Sequence, residues 1–82
     1  MINVVFFAAL REQLNCNALS VSSDNLTTVS DLKTELAAKN DNWQRVFANS
    51  SLLAAVNHDM VNSEALIKSG DEVAFFPPVT GG

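Results

Sequence analysis

Eighty-two residues allow one domain, and 48% hydrophobic with 17% charged residues describes a globular rather than a disordered chain. Five basic against nine acidic residues give a net charge of −4, and the bases Arg11, Lys33, Lys39, Arg45 and Lys68 are scattered, which argues against nucleic acid and against an anionic membrane surface. No apolar run approaches the roughly 20 residues of a membrane span, MINVVFFAALREQL lacks a basic leader and a cleavage site, and lone Cys16 and lone His58 can build neither an internal disulfide nor a zinc site; a reduced, soluble, cytoplasmic chain is expected.

Residues 2–7 are β-branched and aromatic, which favours a strand. Its side chains alternate, so Ile2, Val4 and Phe6 share one face and Asn3, Val5 and Phe7 the other. The polar Asn3 marks the second face as outer and places Phe7 outside the core. Residues 8–14 carry good helix formers with Leu10 and Leu14 four apart, which predicts a short helical turn. Residues 18–22 alternate as a second strand.

Thr28 can cap a helix with Asp31 as its capping-box partner, and Leu26 before it offers a staple contact. Val29, Leu32 and Leu36 then form one apolar stripe, with Lys33, Glu35 and Lys39 on the wet side. Asn40 stops this helix, and Asp41 caps a second short one over 42–48 that aligns Trp43, Val46 and Phe47. Residues 49–51 read as a loop, 52–56 as a third strand, 57–59 as a turn and 60–61 as a short returning strand. A turn or short helix over 64–68 makes Leu66 and Ile67 available to the core. Residues 71–76 are the last strand, with Val73 and Phe75 inward and Glu72, Ala74 and Phe76 outward. So short a chain is best closed by one mixed sheet with one main helix across it, an α+β fold of β-grasp order.

No catalytic grouping and no glycine loop for phosphate is visible. Chemistry concentrates instead in Pro77-Pro78-Val79-Thr80-Gly81-Gly82. Two prolines end the strand and favour a stiff, extended exit. Pro78 to Gly82 reaches about 13 Å at ~3.3 Å per residue. Gly81 and Gly82 have no side chains, so a narrow channel in a partner can admit the backbone to its last atom. A domain over 1–76 followed by a flexible, extended tail over 77–82 is expected. A frayed terminus is the ordinary alternative, but a Gly-Gly end after a double proline and a β-grasp pattern is a more specific signal.

Asp71 to Gly82 (DEVAFFPPVTGG) resembles the C-terminus of the MoaD-type sulfur carriers, the small-subunit family of molybdopterin synthase. Val5-Phe6-Phe7-Ala8 with Arg11-Glu12, and Leu52 to Asn57 (LLAAVN), match the same family, so the resemblance spans nearly the whole chain in order. It implies a ubiquitin-like β-grasp fold and a non-catalytic co-substrate role in a sulfurtransferase complex, a heterotetramer. Gly82 would be the reacting residue. Its carboxylate, with a reference pKa of about 3.3–3.7, is an anion that resists nucleophiles until activated. A ubiquitin-activating-like adenylyltransferase would consume ATP to form the acyl-adenylate, and a sulfur donor protein would convert it to a thiocarboxylate. The synthase large subunit would then receive the tail, threaded through Pro78, Val79, Thr80 and Gly81. There the thiocarboxylate gives its sulfur to a pterin precursor, cyclic pyranopterin monophosphate, for the molybdenum cofactor. No bound cofactor or metal is implied.

The outward Phe7 and Phe76 are too apolar to leave in water without reason and suggest a docking surface. Met60 could extend it and Arg11 could add a polar contact at its rim. Cys16 reads as an unactivated thiol, His58 as a solvated turn residue and Trp43 with Phe47 as core. Two other functions share the Gly-Gly chemistry: a thiamine-pathway sulfur carrier and a ubiquitin-like protein modifier joined through Gly82 to lysines. A plain interaction module with an inert tail is a further class, separable by deleting Gly81-Gly82.

Overall fold

The computed structural model describes residues 1–48 and 52–77. The chain runs β1 (Ile2–Phe6), α1 (Ala9–Leu14), β2 (Ala18–Val21), α2 (Val29–Ala37), α3 (Asp41–Phe47), β3 (Leu53–Val56), β4 (Asp59–Val61) and β5 (Glu72–Phe76). The five strands form one sheet in the order β2-β1-β5-β3-β4. β1 and β5 run parallel at its centre, and the remaining pairs are antiparallel. The helices cover one face, which gives the ubiquitin-like β-grasp.

Alternation decides which face is covered. Ile2, Val4, Phe6, Val73 and Phe75 are no more than 1% exposed and meet Val29, Leu32 and Leu36, which are wholly buried on α2. Such a stripe is what holds a nine-residue helix that would be marginal alone. α3 adds Trp43 and Phe47, whose rings pack edge-on against Phe6 at centroid distances of 5.5 and 6.2 Å. Phe47 also meets Phe75 edge-on at 5.2 Å, so four aromatic rings close the end of the core nearest residue 77.

Local signals set the boundaries. Thr28 Oγ1 accepts from Asp31 N–H, and the Asp31 carboxylate accepts from Thr28 N–H, completing the capping box. Leu26 packs against the core beside it. α1 ends on Asn15 at φ 53°, ψ 43°, a left-handed stop that lets the Asn15 and Cys16 N–H groups reach the last carbonyls. Asn57 and His58 both have positive φ and turn β3 directly into β4.

Three expectations need correction. The α3 cap is Asn40, not Asp41: its backbone is extended, and its Oδ1 accepts the Trp43 N–H at 3.0 Å, so the helix starts at Asp41. Leu66 is 74% exposed, because a single bridge to Thr28 turns its side chain outward while Ile67 alone is buried. Phe76 is half-buried rather than exposed, since Leu53 faces it on β3. The expected loop at 49–51 lies outside the described residues.

Candidate functional site

Among the described residues one face of the sheet is left uncovered, and it carries the candidate site. Strand register places Ala18, Val5, Ala74, Ala55 and Met60 in one row across all five strands. Next to it lie Phe76 and Leu53, paired across β5 and β3, and Phe7, whose N–H donates to the Phe75 carbonyl at 3.1 Å. Ala55 and Ala74 are each only 7% exposed. Phe7 and Met60 stand higher, at 50% and 60% exposure. The result is a shallow apolar floor with raised edges, at the end of the sheet where β5 runs out toward residue 78.

The opposite end of the same face is polar. Ser20, Asn3 and Glu72 form its row, with Ser20 Oγ donating to Asn3 Oδ1 at 3.3 Å. His58 Nε2 lies 3.0 Å from Glu72 Oε1 on the exposed turn. Behind it, Asn57 clips this turn to the start of β5: its Nδ2 donates to Asp71 Oδ1, and its Oδ1 accepts the Glu72 N–H, each at 3.0 Å. Asp71 is buried and also accepts the Lys68 N–H at 2.9 Å. The Asn57 amide, then the Lys68 backbone, holds its carboxyl below the usual carboxylate range.

The structure thus brings Phe7 and Phe76 side by side and sets Met60 on the same face at the edge strand. Arg11 is exposed on α1, off the sheet itself, and the two ion pairs among the described residues do not use it. Gly82, Gly81, Thr80, Val79 and Pro78 lie outside the described residues. Pro77 is half-buried and borders a cleft of about 380 Å³ with Leu10, Arg45, Val46 and Leu52, on the helical side of the last strand. Sequence reasoning missed Val5, Leu53, Ala55 and Ala74. Their parity could have flagged Val5 and Ala74, but the register of β3 against β5 is non-local.

Cys16 is half-buried with its thiol 3.4 Å from the Ala18 carbonyl. Among the described residues no cluster of His, Cys, Asp and Glu could hold a metal ion, and no helix is long and apolar enough to cross a membrane. At its apolar end, around Phe7, Phe76, Leu53 and Met60, the face offers hydrophobic contact, which suits docking.

Residues 4–82 match the model of the ThiS family. The chain is 46% identical to the molybdopterin synthase sulfur carrier subunit of Escherichia coli (strain K12) over 82 residues, all of both chains. It is 42% identical, again over all of both chains, to the subunit of that name from Haemophilus influenzae. Among solved structures it resembles the small archaeal modifier protein 1 of Haloferax volcanii, with a TM-score of 0.78 and 26% identity over 95% of this chain and 97% of that one. It also shares the fold of a chain in the complex of subunits 1 and 2 of the molybdopterin-converting factor from Helicobacter pylori 26695, with a TM-score of 0.67 and 21% identity over 99% and 97% of the two chains.

Proposed function

The chain belongs to the ThiS family, and from that premise we propose how its terminal segment and its bare sheet face divide the work. The protein is a sulfur carrier of molybdenum-cofactor biosynthesis, the small-subunit counterpart of a molybdopterin synthase large subunit. The observation that carries this reading is the likeness to sulfur-carrier subunits along the whole chain. The Gly82 carboxylate is the cargo site. As an anion it is inert to nucleophiles, so an adenylyltransferase partner spends ATP to make it an acyl-adenylate. Sulfide (HS−) released to it by a donor protein then attacks the acyl carbon, displaces AMP and leaves a thiocarboxylate. Work of this kind belongs in the cytoplasm.

The bare face supplies the docking. Phe7, Phe76, Leu53 and Met60 give a partner apolar surface to bury, and Arg11 gives it a directional charge. Docking there delivers Pro78 to Gly81 as the neck of a slim terminus and Gly82 as its reacting end. The large subunit provides the pterin precursor and the acid–base groups.

Intact mass of the protein purified from cells that hold its activating enzyme tests this. A gain equal to one oxygen-to-sulfur exchange, mapped to Gly82, is expected; an unmodified mass with the machinery and donor present would overturn it. A second reading, protein modification through Gly82, is favoured by the likeness to the archaeal modifier. Adducts of this chain on lysines in cell extracts would be its signature.

A further inference from the structure

We propose that Ala8 is a positioning residue for docking, its constrained turn holding Phe7 on the bare sheet face and Arg11 on α1 in one fixed relation. The proposal rests on the docking reading above and deepens it. Ala8 has φ 55° and ψ −135°. Leu10 N–H donates to the Phe7 carbonyl at 3.2 Å across it. This is a type II′ turn with Ala8 at the first central position, where glycine sits without steric cost. Of the other non-glycine residues at positive φ among the described residues, Asn15, Asn25 and Asn57 are asparagines and His58 is a histidine, types enriched there. Alanine is not, and ψ −135° lies outside the left-handed helical well.

The methyl group is not part of the core. Ala8 is exposed, and α1 is held to the core by Leu10 and Leu14, at 2% and 4% exposure. The turn's hydrogen bond is a backbone one, which glycine would form with less strain. Folding alone therefore favours glycine here, and the retained strain points to a use outside the folded chain. The methyl narrows the turn: glycine moves freely through the positive-φ region, whereas at φ 55°, ψ −135° an alanine Cβ crowds the flanking peptide groups and leaves little room to move. Phe7 precedes the turn at 50% exposure. Arg11 follows it, with its own N–H donating to the Ala8 carbonyl at 3.2 Å. Both contact residues hang from the same junction, and stiffening it lowers the ordering cost of association.

The test titrates full-length Ala8→Gly against the purified synthase large subunit. The unfolding midpoint is expected to hold or rise by a few degrees, while affinity falls about tenfold. In turnover the apparent KM for the carrier rises and kcat is unchanged. A synthetic chain with D-alanine at position 8, for which positive φ is the relaxed region, is expected to regain affinity and keep the higher midpoint. Ala8→Gly binding as tightly as the parent overturns the proposal, as does a D-alanine chain that binds as weakly as the glycine variant. Phe7→Ala separates the two levels. If it too binds as tightly as the parent, the docking reading has failed; if it alone binds weakly, only the role of Ala8 falls.

Discussion

Phe6 and Phe7 are chain neighbours, yet Phe6 is 1% exposed among Trp43, Phe47 and Phe75 while Phe7 is 50% exposed on the far side of the sheet. The same division runs through β5, where Val73 and Phe75 are fully buried and Phe76 is half-buried on the outer face. One face is sealed by α2 and α3. Among the described residues the other is left bare, with its apolar residues gathered at the end from which the chain continues to Gly82. The large buried side chains lie on one side, so the proposed docking side can vary at little cost to the core. That separates what keeps the protein folded from what makes it useful.

The largest test of the separation removes the proposed cargo site. Deleting Gly81-Gly82 is expected to abolish sulfur transfer completely and to leave the thermal unfolding midpoint where it was. A truncated chain that no longer folds would break the separation. The paired substitutions Phe6→Ala and Phe7→Ala come next. Phe6→Ala is expected to cost about 3–5 kcal/mol, a large share of the roughly 5–15 kcal/mol typical of whole domains. Phe7→Ala should stay within about 0.5 kcal/mol of the parent in denaturant unfolding while weakening capture by the large subunit. Equal losses of stability would show that the two faces are not independent. Met60→Glu is milder: with Met60 60% exposed on the edge strand, stability is expected to hold while affinity drops about tenfold.

Parity made much of this legible before any coordinates. One asparagine in β1 and one glutamate in β5 were enough to sort inner from outer residues, and Thr28 with Asp31 marked the start of α2. Signals shared by neighbours were less decisive. Asn40 and Asp41 can both cap, and only backbone geometry chose the first. Leu66 occupies a one-residue bridge, too short for any periodicity to say which way it faces. The floor of the candidate site depends on β3 lying beside β5, a pairing between segments about twenty residues apart in sequence that no local pattern encodes. The terminal segment, whose slim exit is plain in the residues and whose chemistry is what the family resemblance implies, lies outside the described residues beyond Pro77.

The smallest expected effect contrasts the two ends of the bare face. Asp71 anchors the polar end through Asn57 and Lys68, and Asp31 caps α2 through the Thr27 and Thr28 N–H groups. Both carboxyls are held below their usual range, chiefly by the Asn57 amide for Asp71 and by the Thr27 N–H for Asp31. A carboxyl whose pKa is lower folded than unfolded contributes stability above the unfolded value of about 3.9 and loses it as pH falls through the folded value. Stability is therefore expected to be flat near neutrality and to decline below about pH 4. Asp71→Asn should cost about 1 kcal/mol at pH 7, and its deficit should shrink in acid, where the parent loses the same contribution. The acid decline should persist in part, because Asp31 is untouched. Affinity for the large subunit should not change, since the anchor lies at the end of the face away from Phe7 and Phe76. Equal loss of affinity and stability in Asp71→Asn would mean that the polar end is part of the docking surface and that the face is one unit rather than two.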